Sequence, residues 1–200
     1  MAELNTELNE LAESFLKSDK VYSEVFKELN AGSRRKRQIA ASVISAAAKI
    51  NPERVFDNID ELTDALHKPE AQTRWEILDT FTSIASVKPE LCEGVLSEAD
   101  EALFDEDNGF ERLASLRFLC RYGASSQERS AQVWPLLDEA LQCYHGDVEF
   151  NDMLLAVIEF SEGNLDAKVK DGLKARMSFD AENSKGTLGK RAKRIVDNLK

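Results

Sequence analysis

The sequence predicts an all-α fold, an α–α superhelix built from helix pairs, and three observations support it. The 200 residues are 42% hydrophobic with only four Pro and nine Gly, and the abundant Leu, Ala, Glu and Lys favour helix. Short polar loops recur at a nearly constant interval. An amphipathic segment precedes and follows each loop. We therefore expect about nine to eleven helices in roughly five pairs.

The recurring loops set the period of the repeat. The eight-residue loops end at residues 37, 74, 112 and 152, at intervals of 37, 38 and 40 residues, and a fifth copy begins near Arg191, 39 residues further on. Their sequences are NAGSRRKR, HKPEAQTR, DEDNGFER and HGDVEFND. A helix pair that repeats at this interval is typical of a solenoid, in which each pair buries its apolar stripe against its neighbours.

The first and last helices are expected to close the ends of the array. Residues 1–17 form an N-terminal capping helix whose apolar stripe comprises Leu4, Leu8, Leu11, Ala12 and Phe15. The C-terminal segment GKRAKRIVDNLK has a similar stripe, made of Ala192, Ile195, Val196 and Leu199. Terminal helices of a repeat array usually cover its open ends. We therefore expect a monomer, with an exposed dimerisation helix at residues 1–17 as the alternative.

Turn signals divide the rest of the chain into five units, so that residues 1–200 make a single repeat domain. Pro52 and Pro89 suit the first turn of a helix, where the missing N–H costs nothing. Gly123 and Gly163 are expected to end helices in a left-handed conformation. The predicted units are 18–51, 52–88, 89–125, 126–164 and 165–200.

The loops and the residues after them resemble HEAT and related armadillo-like repeats. The shared features are a first helix that ends in Leu, a short polar loop, an Arg at the start of the second helix and Pro at the start of the next unit. The fourth unit departs from the pattern with Asp152, and the matching arginines are Arg37, Arg74, Arg112 and Arg191. The resemblance covers roughly residues 18–200 and implies a HEAT-like solenoid whose second helices line a concave face.

The charge distribution argues against nucleic acid as the main partner. The net charge is −11, and residues 51–110 hold 16 acidic and 4 basic residues. Two basic clusters flank this acidic middle, Arg34, Arg35, Lys36 and Arg37 near one end and Lys190, Arg191, Lys193 and Arg194 near the other. Four-residue basic runs are a weak nucleic-acid signal in an acidic chain. We expect them to contact acidic segments of a protein partner at the rims of the array.

The sequence carries no signal for a metal, a cofactor, a membrane span or an exported protein. His67 and His145 lie about two repeats apart and cannot converge on one metal, and the three cysteines contain no CxxC pair. Nucleotide-binding and protease motifs are absent. The N-terminal segment is acidic and amphipathic, and no stretch approaches the ~20 apolar residues of a membrane helix. We expect no cofactor, no metal, no membrane partner and a cytoplasmic location.

These observations favour a non-catalytic protein-interaction scaffold. Repeat-equivalent positions place Trp75, Leu113 and Met153 in a row across second helices, and such residues are enriched at interface cores. The central candidates for binding a protein or peptide on the concave face are Arg74, Trp75, Arg112, Leu113, Arg117 and Met153. For the row, the apolar pattern itself favours packing between repeats. For Arg74, its place in the repeat favours bonds to loop carbonyls or acidic neighbours, and partner binding at these positions is the functional hypothesis.

One enzymatic alternative remains. Trp75 and Asp79 lie one helical turn apart, with Arg112 or Arg117 on the next second helix. This grouping resembles the cleft of HEAT-like alkylpurine DNA glycosylases, which implies an Asp that stabilises a cationic sugar and a Trp that packs against the damaged nucleotide. The acidic middle of the chain opposes DNA binding, because a DNA cleft should attract phosphate.

Overall fold

The computed structural model describes residues 2 to 200, and it describes side chains from residue 6 onward. Within that range the chain forms eleven α-helices, two 3₁₀ helices and no strand, which confirms the all-α class. The 3₁₀ helices are Pro52–Asn58 and Pro89–Val95. The α-helices are α1 Ala2–Lys17, α2 Asp19–Ala31, α3 Arg34–Ile50, α4 Ile59–Ala65, α5 Ala71–Ala85, α6 Leu96–Leu103, α7 Gly109–Gly123, α8 Gln127–Cys143, α9 Phe150–Ser161, α10 Ala167–Asn183 and α11 Gly186–Asn198.

The chain packs as two compact units, Met1–Glu98 and Ala99–Lys200. The first contains α1 to α5 and both 3₁₀ helices, and the second contains most of α6 and all of α7 to α11. The assignment of residues 1–200 to one repeat domain, and the limits of the five repeats within it, stay predictions.

In the first unit, the N-terminal helix packs through one side of its predicted stripe. Ala12 and Phe15 are fully buried, and the Phe15 ring lies 4.9 Å from the ring of Tyr22 on α2. Leu11 differs from the expectation, because its side chain is 45% exposed. Leu4 lies outside the residues whose side chains are described. Among the described side chains of α1, the two buried ones therefore lie in its C-terminal half.

Proline shapes the first helices of two pairs. Pro52 and Pro89 each occupy the first turn of a 3₁₀ helix, and these 3₁₀ segments lead into α4 and α6. A proline at this position loses no hydrogen bond, because the first N–H groups of a helix have no partner within it. The sequence predicted the position of the turn, and the structure adds that each of these first helices begins as 3₁₀ rather than as α.

In the second unit, Gly123 and Gly163 do not take the left-handed conformation that the sequence predicted. Among the described residues, positive φ occurs only at Gly146 and Gly186. A Cβ on Gly123 would lie 2.5 Å from Val133 Cγ2, and one on Gly163 would lie 2.6 Å from the carbonyl oxygen of Ala124. These two glycines are therefore required by close packing against a neighbouring segment and not by backbone conformation.

Candidate functional site

The arginines at the start of the second helices hold the preceding loops. Arg37 donates from Nη1 to the carbonyl of Gly32 at 2.7 Å, and Arg74 donates from Nη1 to the carbonyl of Lys68 at 3.0 Å. Arg112 donates to two loop carbonyls, those of residues 105 and 106, at 2.8 and 3.0 Å. Loop carbonyls need such donors because they have no partner within a helix. This is the contact that a structural role for Arg74 predicts.

Two of these arginines also reach forward to the next helix pair within the same unit. Arg37 donates from Nε to Glu70 at 3.1 Å, and its Nη2 donates to the other carboxylate oxygen. Arg112 donates from Nη2 to Glu149 at 2.6 Å. Glu70 and Glu149 both stand at the N-cap of a second helix, so the two bonds are equivalent. The guanidinium groups hold the pKa of each carboxyl below its usual range, and the Glu70 carboxylate raises the pKa of Arg37.

The row of repeat-equivalent apolar residues lies mostly in the core. Met153 is fully buried, and Leu113 is 8% exposed. Their side chains cannot contact a partner without a rearrangement of the helices, so burial favours the packing alternative at these two positions. Arg117 is exposed on α7, and Arg112 is occupied by the loop carbonyls and Glu149.

Trp75 differs from the other two members of the row because it is half-buried and lies beside polar groups. Gln72 and Asp79 occupy the same face of α5, three residues before and four residues after Trp75. Gln72 donates to Ser42 Oγ at 3.3 Å, and Ser42 Oγ donates to Glu76 at 2.9 Å.

The same contacts continue along α3 and α5. Lys49 Nζ lies 3.7 Å from the Asp79 carboxylate. We call this set the ladder surface, and it comprises Ser42, Lys49, Gln72, Trp75, Glu76 and Asp79. Its amide, hydroxyl and carboxylate groups can bond to a peptide backbone and attract cations, and an indole can hold an aliphatic or cationic side chain. The sequence identified Trp75 and Asp79 but missed the other four, and polar residues at helical spacing were the one signal for them. The four are Ser42, Lys49, Gln72 and Glu76.

The basic clusters are partly neutralised by acidic neighbours. Lys36 pairs with Glu28 at 2.7 Å, and Arg37 is bound to Glu70. Arg34 and Arg35 are exposed. The first cluster therefore presents Arg34, Arg35 and Lys36 to solvent, and two of its four cations, Lys36 and Arg37, have acidic partners.

The second cluster follows the same pattern. Arg194 pairs with Glu162 at 2.8 Å, and Arg191 lies 3.9 Å from Asp152. Lys190 and Lys193 are exposed. The role of both clusters in contacting a partner stays a prediction.

The histidines have carboxylate partners. His67 Nε2 lies 3.7 Å from Glu98, and His145 Nε2 lies 2.9 Å from the buried Asp180, which also accepts from Ser184 at 2.6 Å. Among the described residues, no group of three or more His, Cys, Asp or Glu side chains could hold a metal ion. Across that same part of the chain, no helix combines the length and the apolar character needed to cross a membrane.

Comparison with known proteins gives fold relatives without sequence relatives. No protein-family model matches the sequence, and no curated protein matches it. A designed armadillo repeat protein in complex with the peptide (KR)4 superposes with a TM-score of 0.72 at 17% identity, over 98% of this chain and 91% of that one. Computationally designed armadillo repeat proteins for modular peptide recognition superpose with a TM-score of 0.69 at 14% identity, over 100% of this chain and 94% of that one. An engineered protein superposes with a TM-score of 0.75 at 17% identity, over 97% of this chain and 89% of that one.

Proposed function

From the armadillo/HEAT-like helical-repeat fold, which these structural relatives confirm, we propose that the chain is a non-catalytic scaffold that binds a protein or peptide segment along its second helices. The binding site is the ladder surface of the first unit, on the face that we expect to be concave. The observation that carries the proposal is Trp75, an aromatic side chain half-buried beside the interhelical polar contacts of α3 and α5.

The chemistry of the ladder surface favours an extended segment with cationic side chains. Glu76 and Asp79 place two carboxylates on the same helix as Trp75, and residues 51–110 carry 16 acidic and 4 basic residues. Cations stack on indole rings and pair with carboxylates. The relative that was solved with the peptide (KR)4 supports this class of ligand by analogy of fold alone.

Fluorescence anisotropy with labelled (KR)4 tests the proposal. We expect saturable binding that weakens as salt rises, because the attraction is between charges. Trp75→Ala should weaken binding about tenfold or more, as truncation of an aromatic residue at the centre of an interface does. A labelled peptide of alternating Asp and Glu should not bind.

A charge-matched pair of variants separates a site from general attraction. Glu76→Gln with Asp79→Asn removes two negative charges from the ladder surface. Glu90→Gln with Glu93→Gln removes two exposed charges from the second 3₁₀ helix of the same unit. We expect the first pair alone to weaken binding by about tenfold, with thermal unfolding as the check on folding. Equal loss in both pairs, or full affinity in Trp75→Ala, would refute the site.

The DNA glycosylase alternative stays a prediction. Trp75 and Asp79 share a face of α5, and the Asp79 carboxylate lies 3.7 Å from Lys49. The test is whether the natural chain releases methylated bases from alkylated DNA and whether Asp79→Asn abolishes that release. If both occur, the scaffold proposal is wrong and the chain is a glycosylase.

A further inference from the structure

An apolar groove opens on the first unit, on a different surface from the ladder. It has a volume of about 320 Å³ and is formed by α1, α2 and α3. Its apolar lining consists of Leu11, Val21, Val25, Ile39, Ala40 and Val43. Leu11 and Ile39 are 45% and 46% exposed, although both are large apolar side chains. An exposed concave apolar patch of this kind is typical of an interaction site.

The groove lies on the side of α2 that points away from the following helix pair. The residues of α2 that contact the following helix pair are Asp19, Tyr22 and Asn30, which bond to Arg54, Asn58 and Glu61. By the 100° turn per residue, Val21 and Val25 face away from that side of α2. On this side, α1 contributes Leu11 to the lining of the groove.

The walls of the groove have the spacing of a helix surface. Val21 and Val25 are four residues apart on α2, and Ile39 and Val43 are four residues apart on α3. Side chains at this spacing form ridges that interdigitate with those of another helix. A partner helix with apolar residues one turn apart therefore fits between the two walls.

The charged rim specifies one flank of such a helix. Lys36 on α3 pairs with Glu28 on α2 at 2.7 Å, so this cation and this carboxylate neutralise each other across the rim. The second rim carboxylate, Glu24, is 63% exposed, and among the described side chains its ion-pair neighbour is Lys20 of the same helix, at 4.0 Å. A basic residue of the partner can pair with Glu24, whereas an acidic residue would be repelled.

We propose that this groove binds an amphipathic helix of a partner protein, which carries apolar anchors one turn apart and a Lys or Arg on the flank that faces Glu24. The partner helix lies between α2 and α3, in the helix-in-groove mode of recognition. The proposal does not depend on the ladder surface, because none of the residues that line the groove belongs to that surface.

Methyl NMR with two designed peptides tests the proposal. Both peptides are helical, built of Ala and Gln with Leu at positions one turn apart, and they carry either Lys or Glu on the adjacent flank. We expect the Lys peptide to shift the methyl signals of Leu11, Val25 and Ile39, and to bind at least about fivefold more tightly than the Glu peptide. Glu24→Lys should reverse that preference.

A matched substitution on the same helix provides the control. Ile39→Lys places a charge in the groove, and Ile50→Lys places one at a 63% exposed position about 16 Å further along α3. We expect a loss of affinity of at least about tenfold in the first variant and none in the second. Trp75→Ala should leave binding of the Lys peptide unchanged. A failure of the groove proposal can therefore be distinguished from a failure of the proposed peptide site on the ladder surface.

Three outcomes would overturn the proposal. The first is equal binding of the Lys and Glu peptides, and the second is equal loss in both Ile variants. The third is concentration-dependent dimerisation of the chain that Ile39→Lys abolishes, because the groove would then receive a second copy.

Discussion

The bond between Arg37 and Glu70 provides a test of how the first two helix pairs are held together. The Glu70 side chain is 4% exposed and that of Arg37 is 20% exposed, and two N–H groups of the arginine bond to the carboxylate. A hydrogen bond to a charged group contributes about 1.5–3 kcal/mol, and breaking a fully buried pair costs about 3–5 kcal/mol. Because Arg37 keeps its bond to Gly32 and some contact with water, we expect Glu70→Gln to lower the free energy of unfolding by about 1.5–3 kcal/mol.

Urea unfolding of the natural chain and of Glu70→Gln, followed by circular dichroism across a pH series, measures this loss. Arg37 lowers the pKa of Glu70 in the folded chain, so its stabilising contribution is complete above the ordinary carboxyl pKa of about 4.3 and is lost as pH falls through the folded value. The difference between the two proteins should therefore be constant from about pH 7 to pH 5 and decrease below about pH 4.

The control for this experiment is Glu13→Gln, which removes an exposed pair with Lys17 at 2.8 Å. Exposed pairs contribute little, so we expect no measurable change in the midpoint. A difference between the natural chain and Glu70→Gln that persists unchanged to pH 3 would refute the reasoning, because it would not come from the charge. An equal loss in Glu13→Gln would refute it as well.

Three further predictions follow from burial and packing. Met153→Ala should lower the free energy of unfolding by about 2–5 kcal/mol, whereas Leu155→Ala, at a 48% exposed position of the same helix, should change it by less than about 1 kcal/mol in the same urea assay. Gly163→Ala should lower the free energy of unfolding by about 1–3 kcal/mol, because its Cβ would meet the backbone of Ala124. Gly94→Ala, whose Cβ would have nothing within 4 Å, should leave that free energy unchanged. Calorimetry of the two variants measures the difference. Of the three thiols, the exposed Cys143 alone should react with a thiol reagent before unfolding, which mass spectrometry detects; reaction of either buried thiol in the folded chain would contradict the packing.

The parts of the fold that repeat along the chain were predictable from sequence. The first three loops end in an Arg, and the shared position of Arg37, Arg74 and Arg112 indicated a common contact. The structure gives each of these side chains a bond to a loop carbonyl of its own repeat. Local contacts of this kind depend on residues less than ten positions apart, so one sequence contains all the information that they require.

Contacts between helices were less predictable. The apolar residues of α9 surround the helix almost completely, which favoured packing between neighbours but left contact with a partner open for Met153. The Met153 side chain lies in the core. The bond of Ser42 to Glu76 depends on the register of α3 against α5, and helical periodicity does not specify that register. The sequence did not predict the groove either, because it also depends on how helices pack against one another. Leu11 fits the apolar stripe of a capping helix, but its side chain is 45% exposed.

The two forward bonds, from Arg37 to Glu70 and from Arg112 to Glu149, have a consequence for the exchange of repeats. Each bond takes its cation from one helix pair and its carboxylate from the N-cap of the next second helix. A helix pair that is duplicated or transplanted therefore brings half of a bond to its new junction. If the following N-cap lacks a carboxylate, the incoming arginine loses its partner at a partly buried site. Successful recombination of such repeats thus depends on matching two positions at each junction, one on either side.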